Sequence, residues 1–226
     1  MTERPKSPPE PMSGKEPIGE SIVYIIDDDL SMRRALINLF QSVGLEAEAF
    51  GSASELLKNK LPEVASCLVL DIRLPGLSGL DLQTELARAN IRIPIIFITG
   101  HGDIPMTVRA MKGGAVDFLT KPFRDQDLLD AVVGAIDKDR KRRESDKTVA
   151  NLQTLFQTLS SREREVLGFV AAGLMNKQIA AELGLAEITV KIYRGHIMKK
   201  MRAKSLADLI RMTEALEIRP SKPAAG

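Results

Sequence analysis

The chain has 226 residues, a formal net charge of +2, one cysteine, two histidines and no tryptophan. One cysteine excludes a disulfide framework, and histidines as far apart as His101 and His196 do not fit a zinc enzyme. No apolar run approaches the ~18 residues of a membrane span, and no apolar stretch typical of a secretory signal occurs near residue 1. We therefore expect a cytoplasmic protein with no membrane partner.

The small net charge conceals an asymmetry along the chain. Residues 1–20 carry a net charge of −1, residues 21–137 carry −5 and residues 138–226 carry +8. An acidic part joined to a basic part indicates two domains with separate tasks, the basic one on nucleic acid. Residues 1–20 are rich in proline, and both they and residues 218–226 are predicted to be disordered tails.

Short apolar runs alternate with helical patterns across residues 21–137. Such runs are typical of strands buried on both faces of a parallel sheet. The predicted strands are Ile22–Ile26, Ala47–Phe50, Cys67–Leu70, Ile95–Ile98 and Val116–Leu119. The predicted helices are Met32–Val43, Leu80–Ala89, Ile104–Met111 and Leu128–Ile136. This alternation predicts an α/β fold with a doubly wound, five-stranded parallel sheet.

The remainder of the chain is predicted to be helical. The basic stretch Lys138–Lys147 is either the solvated end of the last helix running into a linker, or a contact for the phosphate backbone. We assign residues 138–155 as a partly helical linker and residues 156–217 as a small all-α domain. Its predicted helices begin at a capping box, Ser160 with Glu163. They are a first helix ending near Ala172, then Asn176–Leu183, Glu187–Met201 and Ser205–Leu216.

Polar residues follow the predicted strands at the edge where parallel sheets bind ligands. They are Asp27, Asp28 and Asp29 after the first strand, Asp71 after the third, Thr99 after the fourth and Lys121 after the fifth. Clustered carboxylates favour a hard cation such as Mg²⁺. A carboxylate can also become an acyl phosphate, whose oxygens an ammonium and a hydroxyl group bind. The set predicts a phosphoryl-acceptor site rather than a hydrolase triad.

These residues and their spacing resemble the CheY-type receiver domain of two-component signalling. The matching segments are Tyr24-Ile25-Ile26-Asp27-Asp28, Leu70-Asp71-Ile72-Arg73-Leu74-Pro75-Gly76, Thr99-Gly100 and Lys121-Pro122. The resemblance covers residues 21–137 and implies the strand order 2-1-3-4-5.

The resemblance also assigns roles to the strand-end residues. It implies that a sensor histidine kinase phosphorylates Asp71. Mg²⁺ would be held by Asp27, Asp28 and Asp71 with the carbonyl group of Arg73. The phosphoryl-binding and switch residues would be Lys121, Thr99 and Phe118. Arg73 and His101, two residues after Asp71 and Thr99, either tune the phosphoryl lifetime or are ordinary loop surface.

The second and third helices of the basic domain form a helix-turn-helix pattern. At 100° per residue, Val190, Ile197 and Met201 fall within about 40° of one another and are expected to pack inward. The outer face is basic, and Gly195 adds no side chain to it, which suits a helix that enters the major groove. The residues on it are Lys191, Ile192, Gly195, His196 and Lys199.

The local sequence resembles the LuxR-type output domain. The matching segments are Leu159–Leu167, Asn176–Ala180 and Thr189–Lys191. With the receiver-like part, the chain resembles response regulators of the FixJ/NarL class, most closely the FixJ-like branch. The resemblance implies a transcription regulator, not an enzyme, that dimerises on phosphorylation and binds double-stranded promoter DNA. We expect an activator that works with RNA polymerase.

This second resemblance assigns the DNA contacts. Lys191 and Ile192 would face base edges, with Gly195 close to the groove. Phosphates would be bound by Thr189, Arg194 and Lys199, and Asn176 and Lys177 would place the preceding helix on the backbone. The last helix would pair two DNA-bound copies, unless its apolar stripe belongs to the domain's own core. The stripe consists of Leu206, Leu209, Ile210, Thr213 and Leu216.

Three positions depart from the family pattern. Met175 and Ala186 occupy helix starts where many relatives carry a capping serine, for which we expect Asn176 and Glu187 to compensate in part. Tyr193 stands where histidine is common.

Two other functions fit the residues less well. An aspartyl-phosphate phosphatase is disfavoured because Asp71 lacks a second acid two residues on. An RNA-binding output is disfavoured by the Thr-Val-Lys segment, which suits duplex DNA.

Overall fold

The computed structural model describes residues 21–59, 63–100 and 102–218. The chain divides into two compact units, Met1–Arg142 and Arg143–Gly226. The predicted tail at residues 1–20, His101 and all but the first residue of the predicted tail at 218–226 lie outside the described residues.

The first unit contains a parallel sheet with the strand order β2-β1-β3-β4-β5. The strands are β1 Ser21–Ile26, β2 Glu46–Phe50, β3 Ala65–Asp71, β4 Ile95–Thr99 and β5 Asp117–Thr120. The helices are α1 Leu30–Ser42, α2 Ala53–Lys58, α3 Gly79–Arg88, α4 Ile104–Lys112 and the first part of α5 Asp125–Gln157. The doubly wound fold predicted from the sequence is confirmed, whereas α2 was not predicted.

The sheet has an apolar layer on each face. Successive side chains of a strand point to opposite faces. Thus Tyr24 and Ile26 pack on the side of α2, α3 and α4, and Val23 and Ile25 pack on the side of α1 and α5. This double burial is why β1, β3 and β4, in the middle of the sheet, are largely apolar, whereas β2 at one edge alternates alanine with the glutamates Glu46 and Glu48.

Helix α5 runs to Gln157, well beyond the apolar period that ends at Ile136. Of the two alternatives for Lys138–Lys147, this agrees with the solvated end of the last helix. The side chain of Asp139 is fully buried and accepts a hydrogen bond from the backbone N–H of Ser66 at 3.0 Å. It also pairs with Arg142. The bond from Ser66 joins α5 to the start of β3 about one turn beyond Ile136, whereas the pair with Arg142 lies within α5 itself. The boundaries of the linker at 138–155 remain a prediction.

The second unit packs four helices after the end of α5. They are α6 Ser161–Ala171, α7 Asn176–Leu183, α8 Glu187–Lys200 and α9 Leu206–Ala215. Their shared core includes Val166, Ile179, Val190, Ile197 and Leu209, and the half-buried Tyr193 packs against it. None of the helices within the described ranges has the length and apolar character needed to cross a membrane.

A candidate acidic site and a candidate nucleic-acid interface

The acidic site lies at the carboxyl edge of the sheet. Strands β1 and β3 are hydrogen-bonded neighbours, with Ile26 paired to Leu70, so Asp27 and Asp71 emerge side by side. Carboxylate oxygens of Asp27, Asp28 and Asp71 lie within 4.8 Å of one another. Asp27 and Asp71 are buried, and Asp28 is exposed. The predicted convergence of the three acids is therefore present.

Lys121 crosses from the end of β5 to this cluster. Its Nζ donates hydrogen bonds to Oδ2 of Asp27 and to Oδ2 of Asp71, both at 2.7 Å. Burial raises the pKa of the Asp27 carboxyl, and the bonds from Lys121 and from the N–H of Asp29 offset this only in part. Burial lowers the pKa of Lys121, but its bonds to the two carboxylates outweigh burial and raise the pKa overall. The ammonium group thus stays charged between two acids.

Thr99 and Phe118 lie at the same edge of the sheet. Thr99 is fully buried at the end of β4, and its carbonyl oxygen accepts a hydrogen bond from the N–H of Lys121 at 2.7 Å. Phe118 is half-buried on β5 and packs against the core on the α2–α4 side of the sheet. A Cβ at Gly102 would lie 2.9 Å from the Phe118 ring, so glycine is required there while the ring holds this position.

The backbone beside the acids is held by groups that the sequence did not single out. Arg33 Nη1 donates hydrogen bonds to the carbonyl oxygens of Asp27 at 2.6 Å and of Asp28 at 3.1 Å. The N–H of Asp29 donates to Oδ1 of Asp27 at 2.8 Å, and the N–H of Arg73 donates to Oδ1 of Asp71 at 2.9 Å. Arg33 lies one helical turn into α1, and spacing alone does not distinguish it from a surface arginine.

Gly79 brings the start of α3 against the backbone of Asp71. Its N–H donates to the carbonyl oxygen of Ile72 at 2.9 Å. A Cβ at this position would lie 2.5 Å from the carbonyl oxygen of Asp71. Only glycine allows this approach without moving the strand end that carries the carboxylate.

The donor set of the acidic site suits a hard divalent cation. It consists of carboxylate oxygens only, in a partly open cluster, which is the chemistry that Mg²⁺ prefers while it keeps some of its water. A carboxylate beside a fixed ammonium group is also a suitable acceptor for a phosphoryl group.

Helix α8 presents the face that the sequence predicted. Val190, Ile197 and Met201 are fully buried, as expected for the inward side. The five residues predicted on the outer side are all exposed: Lys191, Ile192, Gly195, His196 and Lys199. One exposed apolar residue of this face, Ile188, was missed. Its helical angle relative to Ile192 and Gly195 is the signal that could have identified it.

A buried carboxylate ties α8 to α6. Glu163 closes the predicted capping box, accepting a bond from the N–H of Ser160 at 2.7 Å. It also accepts one from Nζ of Lys200 at 2.6 Å. Burial raises the pKa of the Glu163 carboxyl, but the bonds from Lys200 and Ser160 outweigh burial, and the pKa lies below its usual value. His196 Nδ1 lies 3.9 Å from the other carboxylate oxygen.

Comparison with known proteins assigns both units. Residues 23–133 match the response regulator receiver domain family, and residues 157–213 match the bacterial regulatory proteins of the luxR family. Nodulation protein W of Bradyrhizobium diazoefficiens is 75% identical over 199 residues, which cover 88% of each chain. The chain is a LuxR-type response regulator.

Other response regulators agree with this assignment. TodT of Pseudomonas putida is 48% identical over 197 residues, covering 87% of each chain. The solved structure of the response regulator StyR is 50% identical and superposes with a TM-score of 0.77, covering 87% of this chain and 99% of that one. The receiver domain and the luxR-type domain together make the chain a DNA-binding transcription regulator, not an enzyme, with a sensor kinase as its partner.

Some expected DNA contacts are less accessible than the outer face of α8. Lys177 is exposed, but Asn176, Thr189 and Arg194 are half-buried. Arg194 Nη1 lies 3.5 Å from the carbonyl oxygen of Leu174, at the limit of a hydrogen bond. The domain itself therefore uses part of this side chain.

Two further expectations can be compared with the helices of the response regulator. Of the apolar stripe on α9, Leu209 and Thr213 are buried, which favours the alternative that they belong to the domain's own core, whereas Leu206 is exposed. The start of α7 is supported by Gln178, whose Oε1 accepts from the N–H of Met175 at 2.8 Å, and not by Asn176. Ala186, at the start of α8, has no side-chain cap.

Proposed function

We propose that the receiver accepts a phosphoryl group on Asp71 from a sensor histidine kinase, then dimerises and binds promoter DNA as an activator. The observation that carries this proposal is the placement of Lys121 Nζ at 2.7 Å from the carboxylates of both Asp27 and Asp71. Three strand ends supply these groups, and their convergence supports a role as phosphoryl-acceptor site.

In the transfer step a carboxylate oxygen of Asp71 attacks the phosphorus of the kinase phosphohistidine. A P–O bond forms, the P–N bond breaks, and the released imidazole keeps the electron pair and takes up a proton. Asp27, Asp28 and Asp71 would hold Mg²⁺, with the carbonyl group of Arg73. When bound, Mg²⁺ neutralises charge on the phosphoryl oxygens. The ammonium group of Lys121 binds the same oxygens from the β5 side.

Phosphorylation replaces the single negative charge of the Asp71 carboxylate with the roughly two negative charges of a phosphoryl group, so the site gains about one negative charge beside Lys121. We propose that the Thr99 hydroxyl turns toward the new phosphoryl oxygens and that Phe118 follows it. The Phe118 ring lies directly beside Gly102, which precedes α4. Movement of the ring would therefore displace the start of α4. We propose that the loop after Thr99, together with α4 and β5, switches between two arrangements.

Helix α4 supports a role in dimerisation. Ile104 is 81% exposed, and Val108 and Met111, on the same side one and two turns later, are also exposed. Pairing of receivers through this face would bring two α8 helices to two half-sites. There Lys191 and Ile192 would meet base edges beside Gly195. Phosphates would be bound by Thr189, Arg194, Lys199, Asn176 and Lys177, and the bound dimer would engage RNA polymerase.

The test is the molecular mass in solution with Mg²⁺, before and after addition of beryllofluoride, which stands in for the phosphoryl group. We expect a change from monomer to dimer in the natural protein and none in Asp71→Ala. Asp137→Asn, which alters an exposed aspartate of α5, should respond as the natural protein does. A monomer under all conditions, or a response retained by Asp71→Ala, would contradict the proposal.

A further inference from the structure

We propose that Ile188 acts with Ile192 as an apolar reader of thymine, so that the operator carries thymine methyl groups under the first turns of α8. This inference rests on the proposed function, in which α8 enters the major groove. It adds the class of sequence that the helix selects and one residue, Ile188, that the family resemblance does not place at the interface.

The two isoleucines are unusually open for aliphatic side chains in a small domain. Ile188 is 63% exposed and Ile192 is 52% exposed, whereas Ile197 on the opposite side of α8 is fully buried. The domain core therefore does not use them. Large aliphatic side chains exposed side by side point to a surface that is covered in a complex.

Their position on α8 selects the groove-facing side. At 100° per residue Ile188 lies opposite Ile197, and Ile192 lies about 40° from Ile188. Gly195 and Lys199 fall within about 20° of Ile188 on the following turns. Both isoleucines lie in the first six residues of α8, and the amino-terminal residues of a recognition helix are those that reach base edges.

The charges around the pair select DNA as the occupant. Lys191 and Lys199 are exposed on the same side. A Cβ added at Gly195, between them, would meet no atom of the described residues within 4 Å beyond the adjoining backbone of α8. The two lysines complement the negative charge of the DNA phosphates, and the absence of a side chain at Gly195 leaves room for the edge of a base. In the major groove the apolar feature of a base edge is the C5 methyl group of thymine.

The spacing of the pair limits where the thymines lie. Residues four apart on a helix are separated by about 6 Å along its axis. Successive base pairs are separated by about 3.4 Å. A helix lying along the groove would thus place the two isoleucines over base pairs about two steps apart. We expect thymine at both positions, on either strand.

The experiment uses the full chain with Mg²⁺ and beryllofluoride. Duplexes are first selected from a random-sequence library, and each enriched thymine is then replaced by deoxyuridine, which lacks only the methyl group. We expect affinity to fall about fourfold for each methyl group that an isoleucine buries. Ile188→Ala and Ile192→Ala should each abolish the difference between thymine and deoxyuridine at one position, and Ile188→Val should retain it.

Two controls distinguish thymine recognition from the proposed DNA-binding function on which it rests. Lys199→Ala should weaken binding to both duplexes while leaving their affinity ratio unchanged, since it removes a cation and no apolar contact. Equal binding of thymine and deoxyuridine duplexes, with Lys191→Ala still impaired, would overturn the reading of methyl groups and leave the proposed function standing. Absence of any enriched duplex would overturn both.

Discussion

The two functional regions of this response regulator are built in opposite ways. The acidic site gathers side chains from the ends of three strands, and Lys121 joins residues 94 and 50 positions away in the chain. The proposed DNA face consists mainly of exposed residues of one helix, α8, which do not meet at a common point. The first region depends on the exact course of the backbone, whereas the second depends on a sum of separate contacts.

This difference predicts how each region fails. A small displacement of one strand end alters every distance in the acidic site. Loss of one side chain from α8 removes one contact and leaves the others in place.

The largest effect is expected on the DNA face itself. Lys191→Ala should weaken binding to a selected duplex about tenfold to a hundredfold, because it removes the cation that we propose contacts base edges. Titration of labelled duplex measures this. Lys58→Ala, which alters an exposed lysine of α2 in the other unit, should bind normally. A normal footprint for Lys191→Ala would show that α8 presents a different side to DNA.

Gly79→Ala tests the dependence of the acidic site on backbone course. A Cβ 2.5 Å from the carbonyl oxygen of Asp71 must displace backbone, and we expect a loss of about 1–3 kcal/mol in the free energy of unfolding. The beryllofluoride response should weaken with it. Gly134→Ala, in open space on α5, should instead stabilise the receiver by about 0.5–1 kcal/mol. Equal effects of the two alanines would refute the close approach.

Arg33→Gln sharpens the same point without altering an acid. The two carbonyl oxygens beside Asp27 and Asp28 would lose their shared donor, and we expect Mg²⁺ affinity to fall about tenfold, as for other groups that support metal ligands. Calorimetric titration with Mg²⁺ measures this. Arg34→Gln, at the adjacent exposed position, is the matched control. Unchanged affinity in Arg33→Gln would mean that the loop holds its course unaided.

The smallest effect is a pH dependence in the DNA-binding unit. The pKa of Glu163 lies below its usual 4.5, so its contribution to stability is present above that pH and is lost as pH falls through the lowered pKa. Glu163→Gln should therefore be less stable by about 1 kcal/mol near neutral pH, with a smaller deficit in acid. Chemical denaturation at several pH values tests this. Glu165→Gln, at an exposed position, should differ little in stability from the natural protein at any of these pH values.

Much of the fold follows from local patterns. The inner strands are predictable because burial on both faces favours apolar residues, and the acids are predictable because parallel strands end at one edge. The full extent of α5 could not be fixed from the sequence because the apolar period stops after Ile136, although Lys, Arg, Glu and Ala continue to favour helix. Its hold on β3 depends on Asp139, whose burial beside Ser66 no local pattern reveals.

The sites divide in the same manner. The acids, Lys121 and the outer face of α8 were predictable from position. Arg33 and Gly79 were not, because each acts on a backbone atom that only the folded chain brings near. The roles of Leu209 and Thr213 were ambiguous because an apolar stripe does not distinguish a domain core from a surface for a second copy.

The distribution of aromatic residues offers a means of observing the two units separately. The chain has no tryptophan and two tyrosines, of which Tyr24 lies in the receiver core and Tyr193 packs in the DNA-binding core. Each unit therefore carries a single intrinsic ultraviolet chromophore of its kind. Ring-specific isotope labelling of tyrosine would give two signals, one reporting on the strand beside the acidic site and one on α8, in an otherwise unaltered protein.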